Sequence, residues 1–83
     1  MINANTSLQE LFDTAVSTLR DVESGEVFIV KELFRGFEWN RISKANRTKL
    51  GAMVFAYAKG DIGSLDFVPL DKTPQNQQKY RKL

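Results

Sequence analysis

The chain has 83 residues, a formal net charge of +2 and a hydrophobic content of 42%. A chain of this length is expected to form a single domain over residues 1–83, because it can bury only one core. It contains neither cysteine nor histidine, which excludes disulfides, zinc–thiolate sites and the commonest general base. We therefore expect no enzymatic activity, no catalytic or metal-binding residues and no cofactor.

A cytoplasmic location without membrane contact is expected. No apolar run in the sequence approaches the roughly 20 residues that a membrane-spanning helix needs. Residues 1–5 lack the basic and apolar regions of a signal peptide.

The charge is unevenly distributed along the chain. Residues 1–26 carry five acids and one base, a net of −4, whereas residues 27–83 carry eleven bases and five acids, a net of +6. Residues 39–60 and 72–83 contain bases and no acids. Such asymmetry favours an anionic partner on one side of the molecule, although two independently solvated faces would produce the same pattern.

The first predicted element is an amphipathic helix over residues 7–23. Ser7 and Glu10 form a capping box, and apolar residues then recur at helical spacing from Leu8 to Val22. Gly25 suits the left-handed conformation that follows a helix. The outer face of this helix is acidic, which makes it unsuited to contact nucleic acid.

The remainder, residues 26–83, is predicted to alternate helices with short strands. Residues 26–30 are apolar and β-branched, as in a strand. A brief helix is predicted over residues 31–34, ended by Gly36, with Phe37 and Trp39 in a tight connection that plugs the core.

A second long helix is predicted from Ser43, its N-cap, to Lys59. After the cap, this helix covers residues 44–59. Its first half is polar and basic, and its second half is apolar on most sides. Phe55 points away from the main apolar stripe. Packing against the first helix is the preferred explanation, and a helix–helix dimer contact is the alternative.

A two-stranded antiparallel hairpin is predicted to close the domain. Residues 65–70 and 77–83 resemble strands, and the polar segment between them contains Pro74. Tyr80 and several bases lie on the second strand.

This element order predicts an α+β, winged-helix-like fold, a variant of the helix-turn-helix. In such a fold the third helix enters the major groove. In this sequence one basic segment, 39–60, contains that helix, and the other, 72–83, belongs to the hairpin. We therefore predict a nucleic-acid-binding module whose partner is duplex DNA. The candidate contact residues are Arg41, Lys44, Asn46, Arg47, Thr48, Lys49, Lys72, Asn76, Lys79 and Arg81.

Asn46 and Arg47 have the side chains that pair bidentately with adenine and guanine. Asn46 lies closer to the buried side of the helix, so a capping role is its alternative. The lysines suit phosphate contact. The alternative function is a protein-binding module, either a modulator of a host protein or a homodimeric interaction domain.

Four segments carry a family resemblance. Residues 26–34, Glu38-Trp39 and residues 47–51, together with the closing segment 76–81, resemble an uncharacterised family of short proteins from Gram-positive bacteria and their phages. The resemblance covers residues 25–83 and leaves the first helix outside. It implies a bacterial or phage origin and a compact module. Because the family has no established activity, it assigns no functional residue.

Overall fold

Two serine caps determine where the long helices begin. In the computed structural model, which describes residues 2–83, Ser7 Oγ accepts the Glu10 amide at 3.2 Å and Ser43 Oγ accepts the Asn46 amide at 3.2 Å. The elements are α1 (Leu8–Leu19), β1 (Val27–Ile29), α2 (Gly36–Arg41), α3 (Lys44–Ala58), β2 (Phe67–Lys72) and β3 (Gln78–Lys82), with 3₁₀ turns at Val30–Leu33 and Gly63–Leu65.

Helix α1 ends at Leu19, four residues before the predicted boundary at residue 23. The Arg20 and Asp21 amides donate to carbonyls three residues back, at 3.2 and 2.9 Å, so the last turn tightens. Lys82 Nζ also donates to the Leu19 carbonyl at 2.9 Å. Gly25 has the predicted left-handed φ of 89°, but it lies in the turn that leads to β1 rather than at the helix end.

Part of the prediction for residues 31–39 is wrong. Phe37 does not plug the core, because it is 51% exposed, whereas the half-buried Trp39 packs against the core. Gly36 does not end a helix; it is the first residue of α2, and Phe37 and Trp39 lie on that helix instead of in a connection. The preceding segment is a 3₁₀ turn over Val30–Leu33. Glu32 accepts the Ile29 amide at 2.9 Å, which joins this turn to the end of β1.

The sheet has three antiparallel strands in the order β1-β3-β2. Phe28 pairs with Tyr80, which in turn pairs with Pro69. The α+β prediction and the antiparallel pairing of the two C-terminal strands are thus confirmed. The first of these strands begins at Phe67 and not at residue 65, because Leu65 lies in a 3₁₀ turn and is 81% exposed.

A chain of aromatic rings joins the helices to the sheet. Phe12 of α1 meets Tyr57 of α3 edge-on at 5.5 Å, and Tyr57 lies 6.0 Å from Phe67. Phe67 meets Tyr80 at 5.2 Å, and Tyr80 stacks on Phe28 at 5.7 Å. Phe28, Phe67 and Tyr80 are buried, so one face of the sheet supplies much of the core.

Lys82 connects three parts of the chain. Besides its bond to α1, its Nζ lies 2.7 Å from a carboxylate oxygen of Asp66, just before β2. Across residues 2–83, no helix combines the length and apolar character that crossing a bilayer requires.

Candidate nucleic-acid interface

Helix α3 presents one continuous face to solvent. Its buried residues, Leu50, Val54 and Ala58, recur at helical spacing and pack the helix into the core. The opposite positions are exposed: Lys44, Ala45, Thr48, Lys49, Ala52, Phe55, Ala56 and the C-cap Lys59. We call these eight residues the α3 face. It contains three lysines and no acid, and its alanines leave little side-chain bulk above the backbone.

Of the residues predicted on this helix, Lys44, Thr48 and Lys49 lie on the α3 face. The Thr48 hydroxyl donates to the Lys44 carbonyl at 3.1 Å, which fixes its position on the first turns. Asn46 is half-buried, as its wheel position indicated, and lies off the face. The basic face therefore begins with two lysines within the first two turns.

Arg47 is committed to a contact inside the protein. Its Nη2 donates to the Trp39 carbonyl at 3.0 Å, and its guanidinium carbon lies 5.2 Å from the centre of the Trp39 ring. Trp39 in turn packs beside Phe34, with ring centres 5.6 Å apart. Arg47 thus connects α3 to α2, a geometry that favours a structural role over the predicted reading of guanine.

We expect Arg47→Ala to lower the free energy of unfolding by about 1–3 kcal/mol. It removes a charge-assisted hydrogen bond and a cation–π contact. The free energy of unfolding of Arg47→Lys should lie between those of the unmodified protein and Arg47→Ala, since lysine keeps the charge without the planar guanidinium group. Urea denaturation of the three proteins measures the effect. An unchanged midpoint for Arg47→Ala would contradict the structural role of this arginine.

Arg41 is also engaged within the protein. Its Nη1 donates to the Ile2 carbonyl at 2.8 Å, and its guanidinium carbon lies 5.1 Å from the centre of the Phe37 ring. The Ile2 amide donates to Glu38 at 3.1 Å, so α2 holds the N-terminal segment from two sides. These contacts set Arg41 apart from the lysines of the α3 face.

The hairpin tip presents the next two predicted residues, Lys72 and Asn76, both exposed. The Asn76 amide donates to the Thr73 carbonyl at 2.8 Å, which closes a turn with Pro74 at its second position. Asn76 has a φ of 65°, a left-handed conformation that asparagine adopts more readily than most residues. The left-handed backbone of the turn thus explains an asparagine at position 76, and its side chain remains exposed.

Lys79 and Arg81 lie on a different surface. Side chains alternate along a strand, and Tyr80 between them points into the core. In the pairing register Arg81 lies between Val27 and Val68, and Lys79 lies opposite Ile29. The structure therefore divides the predicted bases between the α3 face with the hairpin tip and the outer face of the sheet.

An open cleft separates α3 from the hairpin, and sequence reasoning did not find it. It is lined by Phe55 of α3 and by Pro69, Leu70, Asp71, Gln78 and Lys79 of the hairpin. Phe55 is 36% exposed, and Lys59 Nζ lies 5.0 Å from its ring centre. We predicted that Phe55 packs against the first helix, whereas the structure places it beside the hairpin. The sequence feature that could have indicated this cleft is Phe55 itself, an aromatic residue off the apolar stripe of a helix whose first half is basic.

A family model described as "Domain of unknown function (DUF1413)" matches residues 13–82. The chain belongs to this family. The match extends the predicted range of 25–83 towards the N-terminus, so it includes most of α1. Comparison with curated proteins and with solved structures gives no match.

All the candidate residues of this DUF1413 domain lie inside the matched region. Among residues 2–83, no three acidic side chains converge where they would hold a metal ion. The chemistry this surface offers is cationic contact, hydrogen bonding by Thr48 and Asn76, and one exposed aromatic ring.

Proposed function

We propose that this DUF1413 domain binds duplex DNA as a winged-helix-like module. The order of helices and strands and the sheet order β1-β3-β2 suit that fold. In the proposed complex α3 enters the major groove and the β2–β3 hairpin contacts the adjacent backbone. In a bacterial or phage-infected cell duplex DNA lies in the cytoplasm, which is the location we propose.

The observation that carries the proposal is the composition of the α3 face. It has three exposed lysines and no carboxylate, and its exposed alanines permit close approach to the groove walls. Thr48 is placed on the first turns, where side chains reach base edges or phosphates. The acids Glu10 and Asp13 are exposed on α1, outside this face.

The hairpin adds Lys72 to the set of free cations. With Lys44, Lys49 and Lys59 it makes four exposed lysines on α3 and the hairpin. Arg41 and Arg47 each donate a hydrogen bond to a backbone carbonyl of the protein, so we do not include them in the phosphate contacts. Lys79 and Arg81, on the outer face of the sheet, are secondary contacts.

Salt dependence tests the proposal. If about four lysines neutralise phosphates, the logarithm of the binding constant should fall against the logarithm of salt concentration with a slope of about −3 to −4. Lys49→Ala should weaken binding to every duplex alike and make the slope shallower by about 0.9. Fluorescence anisotropy with labelled duplexes at 50–300 mM salt, a range chosen about the physiological value, measures both.

Lys31→Ala is the matched control, because Lys31 is an exposed lysine in the 3₁₀ turn, outside the α3 face. Its slope should equal that of the unmodified protein. A slope near zero, or equal losses in Lys31→Ala and Lys49→Ala, would contradict the proposed interface.

One observation favours a protein partner as the second candidate. The outer face of the sheet exposes 53% of Val27, next to the half-buried Ile29 and Val68. An apolar face of this kind suits a host protein or a second copy of the domain. Weak DNA affinity without salt dependence would favour this alternative.

A further inference from the structure

We propose that the cleft between α3 and the hairpin holds one unpaired DNA base stacked on Phe55, so that the domain prefers a duplex next to a single-stranded segment. This inference rests on the proposed function and specifies its substrate. The argument begins with Phe55, whose ring is exposed although the buried core of the domain is formed by other residues.

The surroundings of Phe55 leave room for a flat ring. Its exposed neighbours on α3 are Ala52 and Ala56, which project only methyl groups, and the flexible Lys59, whose Nζ lies 5.0 Å from the ring centre. Across the cleft lie Pro69 and Leu70, which supply an apolar second wall. Proteins that bind single-stranded DNA use exposed aromatic rings in basic grooves in this way, because every base has a face that stacks.

The polar groups of the cleft suit a base better than a phosphate. Asp71 lines the cleft, and its carboxylate repels phosphate but accepts hydrogen bonds from the amino groups of bases. Gln78 Nε2 donates to the carbonyls of Leu70 and Lys79. Its Oε1 has no protein donor within residues 2–83 and provides a second acceptor.

A cation lies beside the position proposed for the base. Lys59 Nζ lies 5.0 Å from the centre of the Phe55 ring, where it can contact a flanking phosphate. Along α3, Phe55 follows Thr48 by seven residues, a rise of about 10 Å. This distance is roughly three base-pair steps, so duplex on the first turns of α3 would end near Phe55.

The experiment compares a blunt duplex with the same duplex carrying a three-nucleotide overhang. The unmodified protein should bind the overhang duplex about tenfold more tightly, within the range of one stacked base. Phe55→Ala should lose this preference, so that the variant binds the blunt duplex and the overhang duplex with equal affinity. Phe55→Trp should keep the preference, and its added tryptophan fluorescence should be quenched by the overhang only.

Phe37→Ala is the matched control, since Phe37 is 51% exposed on α2 and lies outside the cleft. It should keep the overhang preference. Equal binding of both duplexes by the unmodified protein would overturn the inference while leaving duplex binding intact. Equal weakening of both by Phe55→Ala would overturn it too, by showing a contact with paired DNA such as a thymine methyl group. Phe55-dependent binding of a single strand alone would instead refute the duplex proposal and support the base cleft.

Discussion

Phe67→Ala should lower the free energy of unfolding by about 3–5 kcal/mol. Phe67 is 0% exposed, and its ring lies between those of Tyr57, Tyr80 and Phe28. Truncation would leave a cavity at the point where α3 meets the sheet. In a domain of this size such a loss approaches the whole stability.

Phe12→Ala provides the comparison. The side chain of Phe12 is only half-buried. We expect a loss of about 1–2 kcal/mol from burial of part of its ring against Tyr57. Chemical denaturation monitored by circular dichroism measures both variants. Equal losses, or a larger loss for Phe12→Ala, would show that the sheet contributes less to the core than its burial indicates.

Alkaline pH should destabilise the domain through Tyr80. The side chain is 0% exposed, and burial raises its pKa from 10.0 to about 12. Because the folded pKa lies above the unfolded value, this contribution is fully present below pH 10 and is lost as pH rises to about 12. A shift of this size corresponds to about 2–3 kcal/mol. Denaturation midpoints measured between pH 8 and 12, a range that brackets both pKa values, will show it.

Tyr80→Phe isolates this effect from the titration of lysines. The Tyr80 hydroxyl is buried without a hydrogen-bond partner among residues 2–83, so its removal should leave stability at neutral pH unchanged or raise it by about 1 kcal/mol. The variant should then lose less stability above pH 10. Parallel pH profiles for the two proteins would show that Tyr80 has the same pKa in the folded and the unfolded chain, which would contradict the prediction.

Residues with strong local signals were placed correctly from the sequence. The structure contains both predicted serine caps, Ser7 and Ser43, and the apolar stripe of α1. Each of these features depends on contacts within one or a few helical turns. Gly36 shows where this reasoning fails. Glycine commonly ends helices. Here the preceding 3₁₀ turn has already ended before Gly36, because Phe34 and Arg35 have extended backbone conformations, and a new helix starts at Gly36. Contacts of α2 with the N-terminal segment, distant in sequence, stabilise it.

The candidate interface was only partly predictable for a related reason. Positive charge indicated a basic surface, but it did not distinguish free side chains from engaged ones. Arg47 and Lys49 are two residues apart, yet one binds Trp39 and the other faces solvent. The division of Lys79 from the α3 face depends on the alternation of β3 about Tyr80, which requires the strand register. The cleft beside Phe55 is formed by two elements whose packing no local pattern specifies.

The position of β3 also sets the sequence of events in folding. It is the central strand, and β1 and β2 each pair with it. The strand that contains Phe28 can therefore pair only after the segment around Tyr80, more than fifty residues later in the chain, has been synthesised. Such long-range pairing slows folding, and a chain emerging from the ribosome would keep both earlier strands unpaired until residues 78–82 arrive. Mutations that weaken β3 should thus expose two strand edges together, making aggregation during synthesis their first consequence.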